Sequence, residues 1–146
     1  MSLNPRSEAK YRHRLALDHL KRAENLFSIR DWAGTISASQ LAVENFTKAV
    51  IALFEVPTWG HDPSSQLDSL KDRIQSEFRG VARDLSLIAS EIAPEHGRAS
   101  YGEPATGMTP NDIYREEHAS DALNKARRAH EISAQILKEI GTLELT

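Results

Sequence analysis

The stretch WAGTISASQLAVENFTKAVIALF, Trp32 to Phe54, decides the fold. Its apolar residues Trp32, Ile36, Val43, Phe46, Ala49, Val50 and Leu53 recur at intervals of three, four and seven, which places them in one stripe along a helix. A second line runs beside the stripe. Gln40, Glu44 and Lys48 follow one another at four-residue intervals, so an amide, a carboxylate and an ammonium stack on one face. Asp31 stands where an N-cap is needed.

Upstream, Ser7 to Ser28 reads as a helix whose inner face is Leu15, Ala16, Leu20, Ala23 and Phe27, widened by Leu17 and Leu26. The join to Asp31 is brief, and so short a connection forces an antiparallel helical hairpin. Arg6, Lys10, Arg12, Arg14, Lys21 and Arg22 outnumber Glu8, Asp18 and Glu24 there. A charge run of this kind reads as a solvated face, with contact to a phosphate or RNA backbone as the second reading.

Downstream, Pro57, Gly60 and Pro63 interrupt the helix between Glu55 and Pro63. Trp59 in that loop is expected to close over the end of the bundle, with stacking on a ligand as the alternative. A third helix is expected over Ser65 to Phe78, with Leu67, Leu70, Ile74 and Phe78 inward, and a break or kink at Gly80. A fourth segment then carries Val81, Leu85, Ile88 and Ile92 as far as Pro94. Pro94 to Pro110 reads as the longest non-helical stretch, and long loops in compact domains tend to be functional or disordered. Thr109-Pro110-Asn111-Asp112 is a helix-start signal. The last helix begins there or after Tyr114, turns Ala119, Leu123, Ala126, Ala129, Ile132, Ile136 and Ile140 inward, and stops at Gly141. Strand-like alternation and internal repeats are absent. The expectation is an all-α, up-and-down bundle of four to five antiparallel helices in one domain spanning 1–146, with an ordered core of about 7–141.

At 146 residues the chain is long enough to bury a real core. A net charge of −3 gives no global field that would select nucleic acid or an acidic substrate. The absence of cysteine removes disulfides, thiol nucleophiles and thiolate zinc sites. No apolar run has the length of a membrane span, so a soluble, cytoplasmic protein is expected. The Glu-x-x-His pairs of di-iron bundles and His-Glu-x-x-His are missing, as are the phosphate-binding glycine loop and the Gly-x-Ser-x-Gly elbow. His118 and Asp121 share a helical face without forming a recognisable metal site. No metal and no cofactor are expected.

A more specific signal is the run Gln40-Leu41-Ala42-Val43-Glu44-Asn45-Phe46-Thr47-Lys48-Ala49, which resembles the second-helix signature of HEPN domains. Trp32-Ala33 before it, Pro57 and His61 after it, and Leu67-x-x-Leu70 agree in order and distance. Arg98-x-x-Tyr101-x-x-Pro104 is similar to the family's Arg-Tyr-Pro loop, with two extra residues between Arg and Tyr. Tyr114 and Asp121-Ala122 look like the opening of its last long helix. The resemblance, to the stand-alone prokaryotic type, spans roughly Ala9 to Ile140. It implies a helical bundle, usually a homodimer, that binds a nucleotide or RNA. It also implies a possible partner protein, a small nucleotidyltransferase, in a toxin–antitoxin-like two-component system.

Some family members are metal-independent ribonucleases that use Arg-x(4–6)-His near the last helices. Here the sole Arg-x4-His is Arg14 to His19 in the first helix, while Arg115 and His118 stand only three apart. Enzyme activity is therefore not expected, with a ribonuclease toxin (weak candidates Arg115 and His118) and a non-catalytic, antitoxin-like interaction subunit kept as alternatives. The binding reading assigns Lys48 and Arg98 to phosphate, Gln40 and Glu44 to base or ribose edges, and Tyr101 to stacking. Against it stands a structural reading. Glu44 and Lys48 are a favourable i,i+4 pair, Gln40 and Glu44 suit a dimer seam, and Tyr101 and Tyr114 suit anchoring of the long loop.

Overall fold

The structure, a computed structural model, describes residues 4–145. Four long helices form the bundle: α1 (Pro5–Ser28), α2 (Trp32–Ala52), α4 (Arg79–Ile92) and α7 (Glu116–Glu139). Three short ones, α3 (Ser64–Ser69), α5 (Glu95–Tyr101) and α6 (Pro110–Ile113), fill the connections. Among the described residues there is no strand beyond one isolated bridge, Glu103 to Met108. The all-α expectation holds.

The ends of α1 and α2 follow local chemistry. Asn4 accepts from Ser7 N with Pro5 at the first helical position, so α1 begins two residues earlier than the sequence suggested. Arg30 takes a left-handed turn (φ 65°), and Asp31 then caps α2 by accepting from Gly34 N at 2.9 Å. The hairpin predicted from the short join is present, and α1 packs along the length of α2.

Helix α2 is the axis of the molecule. None of its residues is fully exposed, and α1, α3, α4, α5 and α7 all touch it. Ile36, Val43, Phe46, Val50 and Ile51 form its apolar side, facing Leu20 of α1, Leu85 and Ile92 of α4, and Leu123, Ile132 and Ile136 of α7. Alanines at 16, 23, 119, 126 and 129 on the flanking helices are buried, and small side chains let the backbones approach closely. Several buried hydroxyls are satisfied within the framework, while Ser39 Oγ has no described partner. Thr35 and Thr47 donate to carbonyls one turn back, and Ser133 donates across to Phe46 O at 3.1 Å.

Three expectations change. The helix predicted over Ser65 to Phe78 is only α3, followed by 3₁₀ turns at Lys71–Arg73 and Ser76–Phe78, because Ile74 and Gln75 are extended (ψ 132° and 139°). Leu67, Leu70, Ile74 and Phe78 are nevertheless buried. Gly80 interrupts nothing; it lies in the first turn of α4. The stretch Pro94 to Pro110 is not all loop either. Pro94 sits at the N-cap of α5, where its missing N–H costs nothing, and Gly102 ends the helix at φ 68°. Both suggested starts for the last helix are used. Thr109 and Asp112 box α6, while Arg115 caps α7.

Candidate functional site

Helix α2 aligns Gln40, Glu44 and Lys48 one turn apart, and here the row is buried: the residues are 1%, 7% and 3% exposed. Glu44 is the hub. Its Oε2 accepts from Lys48 Nζ at 3.0 Å, and its Oε1 accepts from Gln40 Nε2 at 3.0 Å. A buried charge left alone would be very costly, so each member of the row requires the others. The row is covered from outside by two imidazoles. His61, on the loop after α2, places Nδ1 3.2 Å from Glu44 Oε1, and His96 of α5 places Nδ1 2.9 Å from Gln40 Oε1. Their rings stack with centroids 3.5 Å apart and planes 16° from parallel. This pair joins the 53–63 loop to α5 over the polar row.

The sequence-predicted binding residues separate into two groups. Gln40, Glu44 and Lys48 are brought together but closed off by the histidines. Arg98 and Tyr101 lie on helix α5, not on a loop. Arg98 is held by Glu103 at 2.7 Å and by Glu95 at 3.8 Å, with its guanidinium over the Tyr114 ring. Tyr101 is 79% exposed, so it does not anchor its segment. Tyr114 does: it is buried, and its hydroxyl donates to Glu95. Burial first, then that hydrogen bond, pushes its phenol well above the ordinary value. Trp59 is 95% exposed and closes over nothing, because Pro57 and Pro63 hold the loop ends while its tip faces outward.

Arg115 and His118 occupy the start of α7. His118 Nδ1 accepts from Arg115 N at 3.0 Å, so the ring satisfies the backbone amide at the start of α7 and its spacing is explained by that role. His118, Arg98, Tyr114 and Lys125 line a cavity of about 330 Å³ with Glu91, Glu95, Glu117 and Asp121; acidic groups outnumber basic ones there, and Lys125 is held by Asp121 and Glu91. His19, of the Arg14 pair, bonds to Arg22 at 3.3 Å on the surface of α1.

Residues 9–137 match the HEPN domain family. The chain belongs to that family. No curated protein matches it, and no solved structure does. HEPN domains are generally nucleotide- or RNA-related. A second cavity, of about 480 Å³, lies between α3 and α4 of this HEPN domain. Leu67, Ile74 and Ala82 give it an apolar floor, and Lys71, Arg79 and Arg83 give it a basic rim against a single acid, Asp68. Arg79 Nε donates to Ile74 O at 2.9 Å, which fixes the guanidinium at the edge. None of the three cations is ion-paired with a described carboxylate. Sequence reading missed this rim because Lys71 comes from a 3₁₀ turn and the arginines from α4. It missed His96 because its partner lies 56 residues away.

Proposed function

We propose that this HEPN domain binds a nucleotide or a short RNA. The observation that carries the reading is the α3–α4 cavity, where three cations, none ion-paired with a described carboxylate, rim an apolar floor beside the single acid Asp68. Its volume is in the range of small-molecule sites, arginine forks suit phosphate oxygens, and the floor suits a base. A second reading places the ligand at Arg98 and Tyr101. It is favoured by the exposure of Tyr101 and by Arg98's partners Glu95 and Glu103, since partly exposed ion pairs are worth about 1 kcal/mol or less and phosphate can replace them. In either case Gln40, Glu44 and Lys48 act as the frame that holds α5 and the 53–63 loop.

HEPN domains commonly dimerise. A homodimer that works beside a nucleotidyltransferase-like partner in a toxin–antitoxin-like pair in the prokaryotic cytoplasm extends this proposal. Val56 and Trp59, 84% and 95% exposed on one loop, supply apolar area for such contacts. No described helix is long and apolar enough to cross a membrane.

Thermal shift and calorimetry with ATP, GTP and a short RNA test the binding. Ligand at a hundred times Kd stabilises by about 2.7 kcal/mol. The Arg79→Ala/Arg83→Ala variant is expected to lose that shift, and Arg98→Ala/Tyr101→Ala to keep it. The reverse result moves the ligand to α5, and the absence of any shift at millimolar ligand overturns the proposal.

A further inference from the structure

The hydrogen bonds around the polar row run in one direction. Glu44, ion-paired with Lys48, accepts from Lys48, Gln40 and His61. The Gln40 nitrogen is engaged with Glu44, so its Oε1 faces His96 and accepts from Nδ1. The proton of His96 therefore sits on Nδ1, and Nε2 carries the lone pair. An imidazole whose Nδ1–H is held by a fixed acceptor, with the other nitrogen left as donor, is how metal-binding histidines are oriented.

We propose that Glu44, His61 and His96 hold a divalent transition-metal ion of the zinc class. Donor atoms of the three residues all lie within 4.8 Å of one another. The 3.2 Å between Glu44 Oε1 and His61 Nδ1 is close to the roughly 3.3 Å separating two donors of a tetrahedral ion with bonds of about 2.0–2.1 Å. On binding, His61 changes tautomer through solvent: the ion takes the Nδ1 lone pair, the proton moves to Nε2, and the imidazole stays neutral. His96 contributes Nε2 while Gln40 keeps its Nδ1, and Lys48 keeps Glu44 Oε2. In the face-to-face stack the two in-plane lone pairs do not meet at one point, so His61 turns out of the stack as the ion enters. Its side chain is 55% exposed, which allows that rotation. Two imidazoles and one carboxylate oxygen select nitrogen-loving ions over magnesium or calcium. The ion ties the 53–63 loop to α5, and solvent reaches its remaining position past His61.

The metal-stripped full chain is titrated with zinc chloride and cobalt chloride, followed by calorimetry and by the cobalt absorption spectrum. One ion per chain and a tetrahedral cobalt band are expected. His61→Ala and His96→Ala are each expected to weaken binding by about a hundredfold or more, and Gln40→Ala, which removes the positioning amide, by about tenfold. His61→Ala, at an exposed position, is expected to melt like wild type without metal, which separates lost ligation from lost folding. Equal affinity of wild type and the His61→Ala/His96→Ala double variant overturns the proposal, as does displacement of zinc by equimolar magnesium. No nucleotide enters these measurements, so their outcome is independent of the nucleotide reading.

Discussion

Lys48 Nζ lies 3.0 Å from Glu44 Oε2, one turn along the same helix, with both side chains less than one-tenth exposed. On a helix surface such a pair is worth a few tenths of a kcal/mol. Here neither charge reaches water, and the pair is obligatory.

Removing one partner strands the other. Lys48→Met and Glu44→Gln are each expected to cost about 3–5 kcal/mol, whereas the double variant costs clearly less than the sum. Urea denaturation of the four proteins gives the coupling; additive losses would show that the row is solvated.

Tyr114 ties α5 to the start of α7 through Glu95. Tyr114→Phe keeps the ring under Arg98 and deletes only the hydroxyl. A loss of about 1–2 kcal/mol is expected from chemical denaturation. An unchanged midpoint would mean that the hydroxyl is exposed to water.

Gly102 has φ 68° and ψ −144°, a region open essentially to glycine alone, and a Cβ there would stand 2.2 Å from Met108 O. Gly102→Ala is expected to cost about 3 kcal/mol in the melting or urea transition, combining backbone strain with that clash. Gly107, also at positive φ (74°) but with nothing near its missing Cβ, is expected to cost less on the same substitution.

His13 packs its ring 5.7 Å from those of Phe46 and His130, and its Nδ1 has no described partner. Burial, followed by repulsion from His130 and Lys138, lowers its pKa to about 4. His19 and His130 are lowered too, mainly by burial. The unfolded chain takes up protons first, so stability is complete above the ordinary histidine pKa of about 6.5 and falls as pH drops toward 4. The His13 share is on the order of 3 kcal/mol once fully protonated. Urea midpoints between pH 4 and 8 are expected to show this slope, and His13→Leu to flatten it; an equal slope in the variant would assign the effect to His19, His130 or the carboxylates instead.

The axis of the fold was legible in Trp32–Phe54 because a helical stripe and its caps are local properties. The segment after α3 was not. Leu67, Leu70, Ile74 and Phe78 satisfy helical spacing, yet a 3₁₀ turn brings i and i+3 to the same side as well, so burial alone does not distinguish the two. Helix α5 was hidden by the proline and glycines around it, although a proline at a helix start is harmless. At the candidate site, the Gln40–Glu44–Lys48 row was visible as spacing. Its closure by His61 and His96 depends on contacts over 17 and 56 residues, which no periodicity encodes.

Because its neighbours wrap α2 along its whole length, its amide hydrogens have no private route to solvent. Deuterium enters this helix only when the entire domain opens, so its slowest exchange rates measure global unfolding. Faster exchange confined to α5 and the 53–63 loop would then report how often the lid over the polar row lifts by itself.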